Sequence, residues 1–129
     1  MHKGFLKAAA AIGLLSVLLG AFGAHSLKGM VSDHSIATYE TAVRYQFYHV
    51  FALLAVGILY AAIPLKIMLW SGRFFVYGII LFSGSLYVLA IVQASIKPGY
   101  NWIGAITPFG GICFIIGWLL LFVSLYRKN

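Results

Sequence analysis

Residues 8–27 read AAAAIGLLSVLLGAFGAHSL, a stretch of 20 residues without an Asp, Glu, Lys or Arg. Lys7 and Lys28 flank this stretch on either side. An α-helix rises about 1.5 Å per residue, so roughly 20 residues cross a hydrocarbon core about 30 Å thick. The stretch therefore predicts a membrane-spanning helix.

Three further intervals lack Asp, Glu, Lys and Arg: residues 45–65, 74–96 and 98–126, of 21, 23 and 29 residues. Each interval is long enough for one crossing. The four spans are predicted at about 5–24, 39–63, 74–95 and 104–126, which leaves a short basic connection from Pro64 to Arg73. The predicted fold is an all-α integral membrane protein, a four-transmembrane-helix bundle that forms a single domain over residues 1–129.

The composition supports this fold class. Hydrophobic residues make up 63% of the chain and charged residues 9%, whereas a soluble domain carries about 25% charged residues. The net charge of +7 does not predict nucleic-acid binding, because the basic residues are dispersed at helix ends. The single cysteine, Cys113, excludes an intramolecular disulfide and a CxxC redox site.

The lysines and arginines are distributed unequally between the two sides of the predicted bundle. Six of them fall on the side of the termini: Lys3, Lys7, Lys66, Arg73, Arg127 and Lys128. The other side carries Lys28, Arg44 and Lys97. Because cytoplasmic segments are enriched in basic residues, we expect a multi-pass protein of the plasma (inner) membrane with both termini in the cytoplasm.

The first apolar stretch has a second interpretation. Lys3 and Lys7, the apolar residues 8–19 and the small-residue triplet 21–23 also match a cleavable signal peptide. Cleavage would leave three spans. The sequence favours the four-span interpretation without excluding this one.

Small residues recur within the predicted spans and are expected to let helices approach closely, which is how helices associate in lipid. The expected packing positions are Gly13, Gly20, Gly23, Ser83, Gly84, Pro108, Gly110 and Gly111. Pro108 is placed near the start of the fourth span, where its missing N–H would be harmless.

Polar side chains are concentrated in residues 39–49, YETAVRYQFYH, at the start of the second span. At about 100° per residue, six of them share half of the helix circumference. Glu40 precedes Arg44 by four residues, the favourable order for an ion pair. With an imidazole at the outer end of the first span, the candidate ligand cluster is His25, Glu40, Thr41, Arg44, Tyr45, Tyr48 and His49.

His49 is the deepest of these polar groups. Three interpretations are open: a neutral ring that hydrogen-bonds to another helix, a proton-handling or ligand-contacting group, and a metal or haem ligand. His25 and His49 do not form a metal signature by spacing, so no metal site and no cofactor are predicted. No catalytic constellation is visible, and we therefore expect a protein that is not an enzyme.

The chain resembles the YgdD/YwdK-like family of small bacterial membrane proteins, an uncharacterised group with animal relatives. The resemblance rests on residues 20–25 (GAFGAH), 39–49, 82–87 (FSGSLY) and 107–111 (TPFGG) with Gly117-Trp118. It covers nearly the whole chain and implies a four-span fold and a membrane location. It implies no activity.

Together these observations predict a non-enzymatic membrane protein whose outer-leaflet polar cluster locks helices together or binds a lipid or small-molecule ligand. The expected partners are the lipid bilayer and such a ligand, with self-association into a homo-oligomer left open. Two alternatives remain at this point: a small proton-coupled transporter or channel-like protein, and a membrane haem or redox protein.

Overall fold

Helices account for nearly all of the regular structure in the computed structural model, which describes residues 1–95 and 101–127. The α-helices are α1 (Lys3–Phe22), α2 (Asp33–Leu59), α3 (Lys66–Gly78), α4 (Gly84–Ala94) and α5 (Asn101–Tyr126). A π-helical segment, Gly23–Leu27, extends α1, and a second, Ile79–Ser83, joins α3 to α4. Four continuous helical spans are long and apolar enough to cross a membrane: Lys3–Leu27, Asp33–Leu59, Lys66–Ala94 and Trp102–Tyr126. The predicted all-α, four-span architecture is confirmed.

The second helix starts and ends earlier than the predicted span at 39–63. It starts at Asp33 because the Ser32 hydroxyl accepts a hydrogen bond from the Ser35 amide at 3.2 Å, which satisfies a donor that has no partner within the helix. It ends at Leu59, and the following residues turn through short hydrogen bonds such as Ala62 N to Leu59 O at 2.9 Å.

The connection predicted from Pro64 to Arg73 is partly helical, because α3 already begins at Lys66. Arg73 is therefore a helical residue with an exposed side chain. Its guanidinium carbon lies 4.8 Å from the centre of the Trp70 ring, a cation–π contact. A cation can lie within this helix because its long side chain reaches outward from the bundle.

Pro108 also differs from its expected position. It lies inside α5, seven residues after Asn101, so its missing N–H leaves the Gly104 carbonyl without its usual helical donor. The side chain is exposed and contributes to the outer surface of the bundle. Pro108 is therefore not a position of close helix packing.

The second and third spans form the centre of the bundle. The first span packs on the second, and the third packs on both the second and the fourth. Along the described residues, the backbones of the second and fourth spans are not close neighbours. Side-chain contacts such as that of His49 with Trp118 connect these two spans, and a space remains between them.

Aromatic rings pack onto glycines of neighbouring spans, where any larger residue would collide. A Cβ atom added at Gly117 would lie 2.8 Å from the Phe75 ring, and one at Gly23 would lie 2.5 Å from the Tyr39 ring. The ring–glycine pairs of this kind include Phe5 on Gly72, Tyr39 on Gly23, Phe75 on Gly117 and Phe114 on Gly78. These contacts set the distances between spans.

Buried hydroxyl groups add hydrogen bonds between the spans. Ser71 donates to the Gly117 carbonyl at 2.7 Å, Ser83 donates to the Ala42 carbonyl at 2.8 Å, and Tyr39 donates to the Leu19 carbonyl at 2.6 Å. Within the described part of the chain, no buried polar side-chain atom lacks a hydrogen-bond partner. An unsatisfied polar group is costly in lipid, so this complete pairing suits a membrane-embedded bundle.

Candidate functional site

The predicted polar cluster is divided between two faces of α2. Glu40 and Arg44 line a cleft beside the first span, together with Gly20 and Gly23. Tyr45, Tyr48 and His49 face the space between the second and fourth spans. Nine residues separate Glu40 from His49, which corresponds to about 180° around a helix. These α2 residues of the predicted cluster therefore belong to two separate sites.

His25 and Thr41 contribute to neither site. His25 is exposed in the first π-helical segment and lines neither of the two spaces. The Thr41 hydroxyl donates to the Ala37 carbonyl of its own helix at 2.9 Å. This bond satisfies the hydroxyl locally, as is common for threonine within helices.

The expected ion pair between Glu40 and Arg44 is not formed. Both side chains are exposed, and they make neither a hydrogen bond nor an ion pair with each other. An exposed pair of this kind contributes only about 0.3–0.5 kcal/mol on a helix, so little free energy is lost when the side chains stay apart.

His49 is the buried member of the cluster, with only 5% of its surface exposed. Its Nδ1 lies 2.7 Å from the Tyr45 carbonyl oxygen, and the indole Nε1 of Trp118 lies 3.2 Å from its Nε2. A carbonyl only accepts and an indole N–H only donates. His49 Nδ1 therefore carries the proton, Nε2 accepts, and the ring is neutral with both nitrogens in use.

The Phe114 ring fixes the orientation of this imidazole. The two ring centres are 3.4 Å apart and their planes differ by 6°, which is a stacked arrangement. Proton transfer or metal ligation at His49 Nε2 would have to displace Trp118. Among the described residues, no group of three or more His, Cys, Asp or Glu side chains could hold a metal ion.

These residues border an open groove of about 700 Å³ between the second and fourth spans. We call it the aromatic groove; it is lined by Tyr45, Tyr48, His49, Phe82, Gly111, Phe114, Ile115 and Trp118. None of these side chains carries a permanent charge. The groove opens on the side of the bundle where lipid would lie, since Ile115 is 68% exposed.

Phe82, which lines the aromatic groove, belongs to the second π-helical segment. The Phe82 carbonyl accepts a hydrogen bond from the Ser85 hydroxyl at 2.9 Å, and the Phe82 backbone lies directly against Gly110 of α5. A π-helical turn inside a helix is uncommon and is frequent at functional sites. The π-helical segment of the third span therefore contributes one residue, Phe82, to the lining of the groove.

The remaining predicted packing positions have different surroundings. A Cβ added at Gly13 or Gly20 would lie 3.4 Å from a valine of α2, whereas one at Gly84 would have nothing within 4 Å. Gly111 is 3.9 Å from the Phe82 ring by the same measure and lines the groove. Gly13 and Gly20 therefore allow close packing of helices, whereas Gly84 and Gly111 lie beside open space.

The sequence pattern did not identify Phe82, Phe114 and Trp118 as residues of a ligand site. Phe114 and Trp118 are four residues apart and so lie on one side of a helix, which is the signal that was available. It was weak because apolar residues surround the whole of α5. The partly buried hydrogen bond from the Tyr87 hydroxyl to Gln46 Oε1, at 2.6 Å, was also not predicted.

Comparison with known proteins identifies the family. A family profile described as "Protein of unknown function (DUF423)" matches residues 19–111. A UPF0382 membrane protein of Staphylococcus aureus (strain bovine RF122 / ET3-1), SAB0533, is 40% identical over 125 residues, 97% of each chain. The chain belongs to this family.

Other UPF0382 relatives align over a similar length. The UPF0382 membrane protein YwdK of Bacillus subtilis (strain 168) is 41% identical over 123 residues, 95% of each chain, so the resemblance to the YwdK-like family is confirmed. No solved structure matches the chain. The family is of unknown function, and its members are named as membrane proteins.

Proposed function

We propose that the protein binds a neutral, apolar small molecule dissolved in the membrane, and that it acts by binding and not by catalysis. The observation that carries this proposal is the aromatic groove, which lies between the second and fourth spans at His49. Its volume of about 700 Å³ falls within the range of roughly 300–1,000 Å³ that is typical of small-molecule sites.

The lining of the groove favours a neutral ligand. A lipid phosphate or another anion would need a cationic partner at this depth, and the lining contains none. Flat aromatic walls formed by Phe82, Phe114 and Trp118 suit a ring, which can stack against them. The ligand therefore contains a planar or cyclic apolar part.

The available polar groups define the other end of the ligand. The nitrogens of His49 and the N–H of Trp118 are already paired. The hydroxyls of Tyr45 and Tyr48 make no hydrogen bond to another described residue. Each can donate to a carbonyl or ether oxygen, so we propose a ligand that carries such an acceptor.

Quenching of Trp118 fluorescence tests this proposal. The other two tryptophans, Trp70 and Trp102, are replaced by phenylalanine, and a short-chain prenylated benzoquinone serves as the neutral probe. We expect saturable quenching, because the probe would occupy a defined site beside the indole. Changing both Tyr45 and Tyr48 to Phe should weaken binding about tenfold, the effect of losing one to two hydrogen bonds.

Tyr77→Phe is the matched control. Tyr77 is an exposed tyrosine of α3 outside the groove lining, so its replacement should leave the probe affinity unchanged. Quenching that rises linearly with probe concentration would indicate collisions within the micelle and would contradict the proposal. An equal loss of affinity in Tyr77→Phe would contradict it as well.

We also propose that the protein lies in the inner membrane with both termini in the cytoplasm. The unequal distribution of lysine and arginine supports this orientation. The His2 amide donates to the Gly57 carbonyl at 2.8 Å, so the N-terminus lies on the same side as the end of the second span.

Cysteine labelling tests the orientation. In a Cys113→Ala background, Met30→Cys lies in the exposed connection between the first two spans, and Ala62→Cys lies in the exposed connection between the second and third. An impermeant maleimide should label Met30→Cys in intact cells and Ala62→Cys only after permeabilisation. The reverse pattern would place the termini outside.

A further inference from the structure

We infer that the cleft between the first and second spans binds the headgroup of an aminophospholipid, a lipid that carries both a phosphate and a primary ammonium. This site lies on the opposite face of α2 from the aromatic groove and is independent of the ligand proposed there. The cleft is lined by Gly20, Gly23, Ala24, Tyr39, Glu40, Val43 and Arg44.

The small residues of the first span create the space. Gly23 packs against the Tyr39 ring, and Gly20 packs against Val43, so the backbones of the two spans stay close. The cleft that remains has a volume of about 170 Å³, below the roughly 300 Å³ at which sites for drug-sized molecules begin. It can hold a headgroup while the acyl chains remain in the bilayer.

The charges of the cleft are of opposite sign and are not paired with each other. Glu40 is one of only two acidic residues in the chain, and both it and Arg44 are exposed. Four residues separate them, which is about 6 Å along the helix axis. Glu40 is nearer to Asp33, the helix start, and Arg44 is nearer to the membrane centre.

This order along the helix matches the order of charges in an aminophospholipid. In such a lipid the phosphate is attached to the glycerol, near the acyl chains, and the ammonium is at the outer end. A guanidinium binds phosphate through several hydrogen bonds, so Arg44 would hold the phosphate. The Glu40 carboxylate would accept hydrogen bonds from the ammonium. A phosphatidylglycerol headgroup, which has no ammonium, would leave Glu40 unpaired beside an anion.

A comparison of the affinities for two short-chain lipids tests this inference. The full-length protein in detergent is titrated with dioctanoyl phosphatidylethanolamine or dioctanoyl phosphatidylglycerol, and bound lipid is counted by native mass spectrometry. We expect the ethanolamine lipid to bind about tenfold more tightly, the effect of one hydrogen bond between charged groups. Equal binding, or tighter binding of the glycerol lipid, would overturn the assignment.

Two substitutions separate the roles of the charges. Glu40→Gln should reduce the preference to a ratio of about one by weakening ethanolamine binding and strengthening glycerol binding, whereas Arg44→Gln should weaken both lipids. Both residues are exposed, so an unchanged melting temperature is expected to show that each variant is folded. A preference that survives Glu40→Gln would contradict a role for the carboxylate.

Asp33→Asn is the matched control because it removes the other acidic residue of the chain, seven residues from Glu40 on the same helix and outside the cleft. The lipid preference should persist in this variant. If Asp33→Asn abolishes the preference as Glu40→Gln does, the effect is one of net charge and the cleft is not the site. The lipid preference does not depend on the aromatic groove. It should therefore persist even if the groove does not bind the quinone probe.

Discussion

Replacing Gly110 by alanine is expected to lower the free energy of unfolding by about 2–3 kcal/mol. A Cβ at this position would overlap the backbone nitrogen of Phe82 and would lie 2.7 Å from its Cα and Cβ. Backbone atoms cannot rotate away as the end of a side chain can, so the third and fourth spans would have to separate. The measurement is unfolding of the purified protein in mixed micelles with increasing SDS.

Gly104→Ala is the control for this prediction. Gly104 lies in the same helix, α5, and a Cβ added there would have nothing within 4 Å. We expect a change of less than about 1 kcal/mol, of either sign, because only the backbone preference of glycine is altered. Similar losses in the two variants would mean that Gly110 is not a position of close approach.

His49→Ala is expected to cost roughly 3 kcal/mol, a value typical of removing a buried ring. The substitution removes the ring stacked on Phe114 and leaves the Trp118 N–H without its acceptor. Unfolding in SDS measures this loss. His25→Ala is the control, since His25 is exposed and a surface change of this kind should lie within about 0.5 kcal/mol.

A double-mutant cycle isolates the hydrogen bond between His49 and Trp118. His49→Phe keeps a stacked ring without an acceptor, and Trp118→Phe removes the donor. Hydrogen bonds between membrane helices have coupling energies of about 0.6 kcal/mol on average and at most about 1.7 kcal/mol, and we expect a value in this range. Additive losses would contradict the hydrogen bond and the tautomer assigned to His49.

The candidate site could be predicted only in part. The polar residues of α2 stand out in an apolar chain, and their spacing correctly placed them on half of the helix circumference. Spacing could not predict that one part of this half would face the first span and the other part the fourth span. Glu40 and Arg44 face the cleft, and His49 is drawn into the bundle by Phe114 and Trp118.

The start of the third span shows a second limit of sequence-based prediction. Arg73 suggested a boundary because a charge is costly within lipid. In the structure α3 begins seven residues before Arg73, at Lys66, and the Arg73 guanidinium lies over the Trp70 ring. Charge spacing therefore predicts the number of spans more reliably than it predicts where each helix begins.

The sequence by itself determined the number of spans, the all-α class and the membrane location, because each depends on local properties: the length of an apolar run and the absence of charge within it. The tertiary structure alone decided which side of each helix is buried. Outside the polar segment of α2 these helices are apolar on every side, so little hydrophobic contrast distinguishes a side that faces lipid from one that faces protein. The contacts that settle it join residues far apart in the chain, such as His49 and Trp118, 69 residues apart, and Ala42 and Ser83, 41 apart.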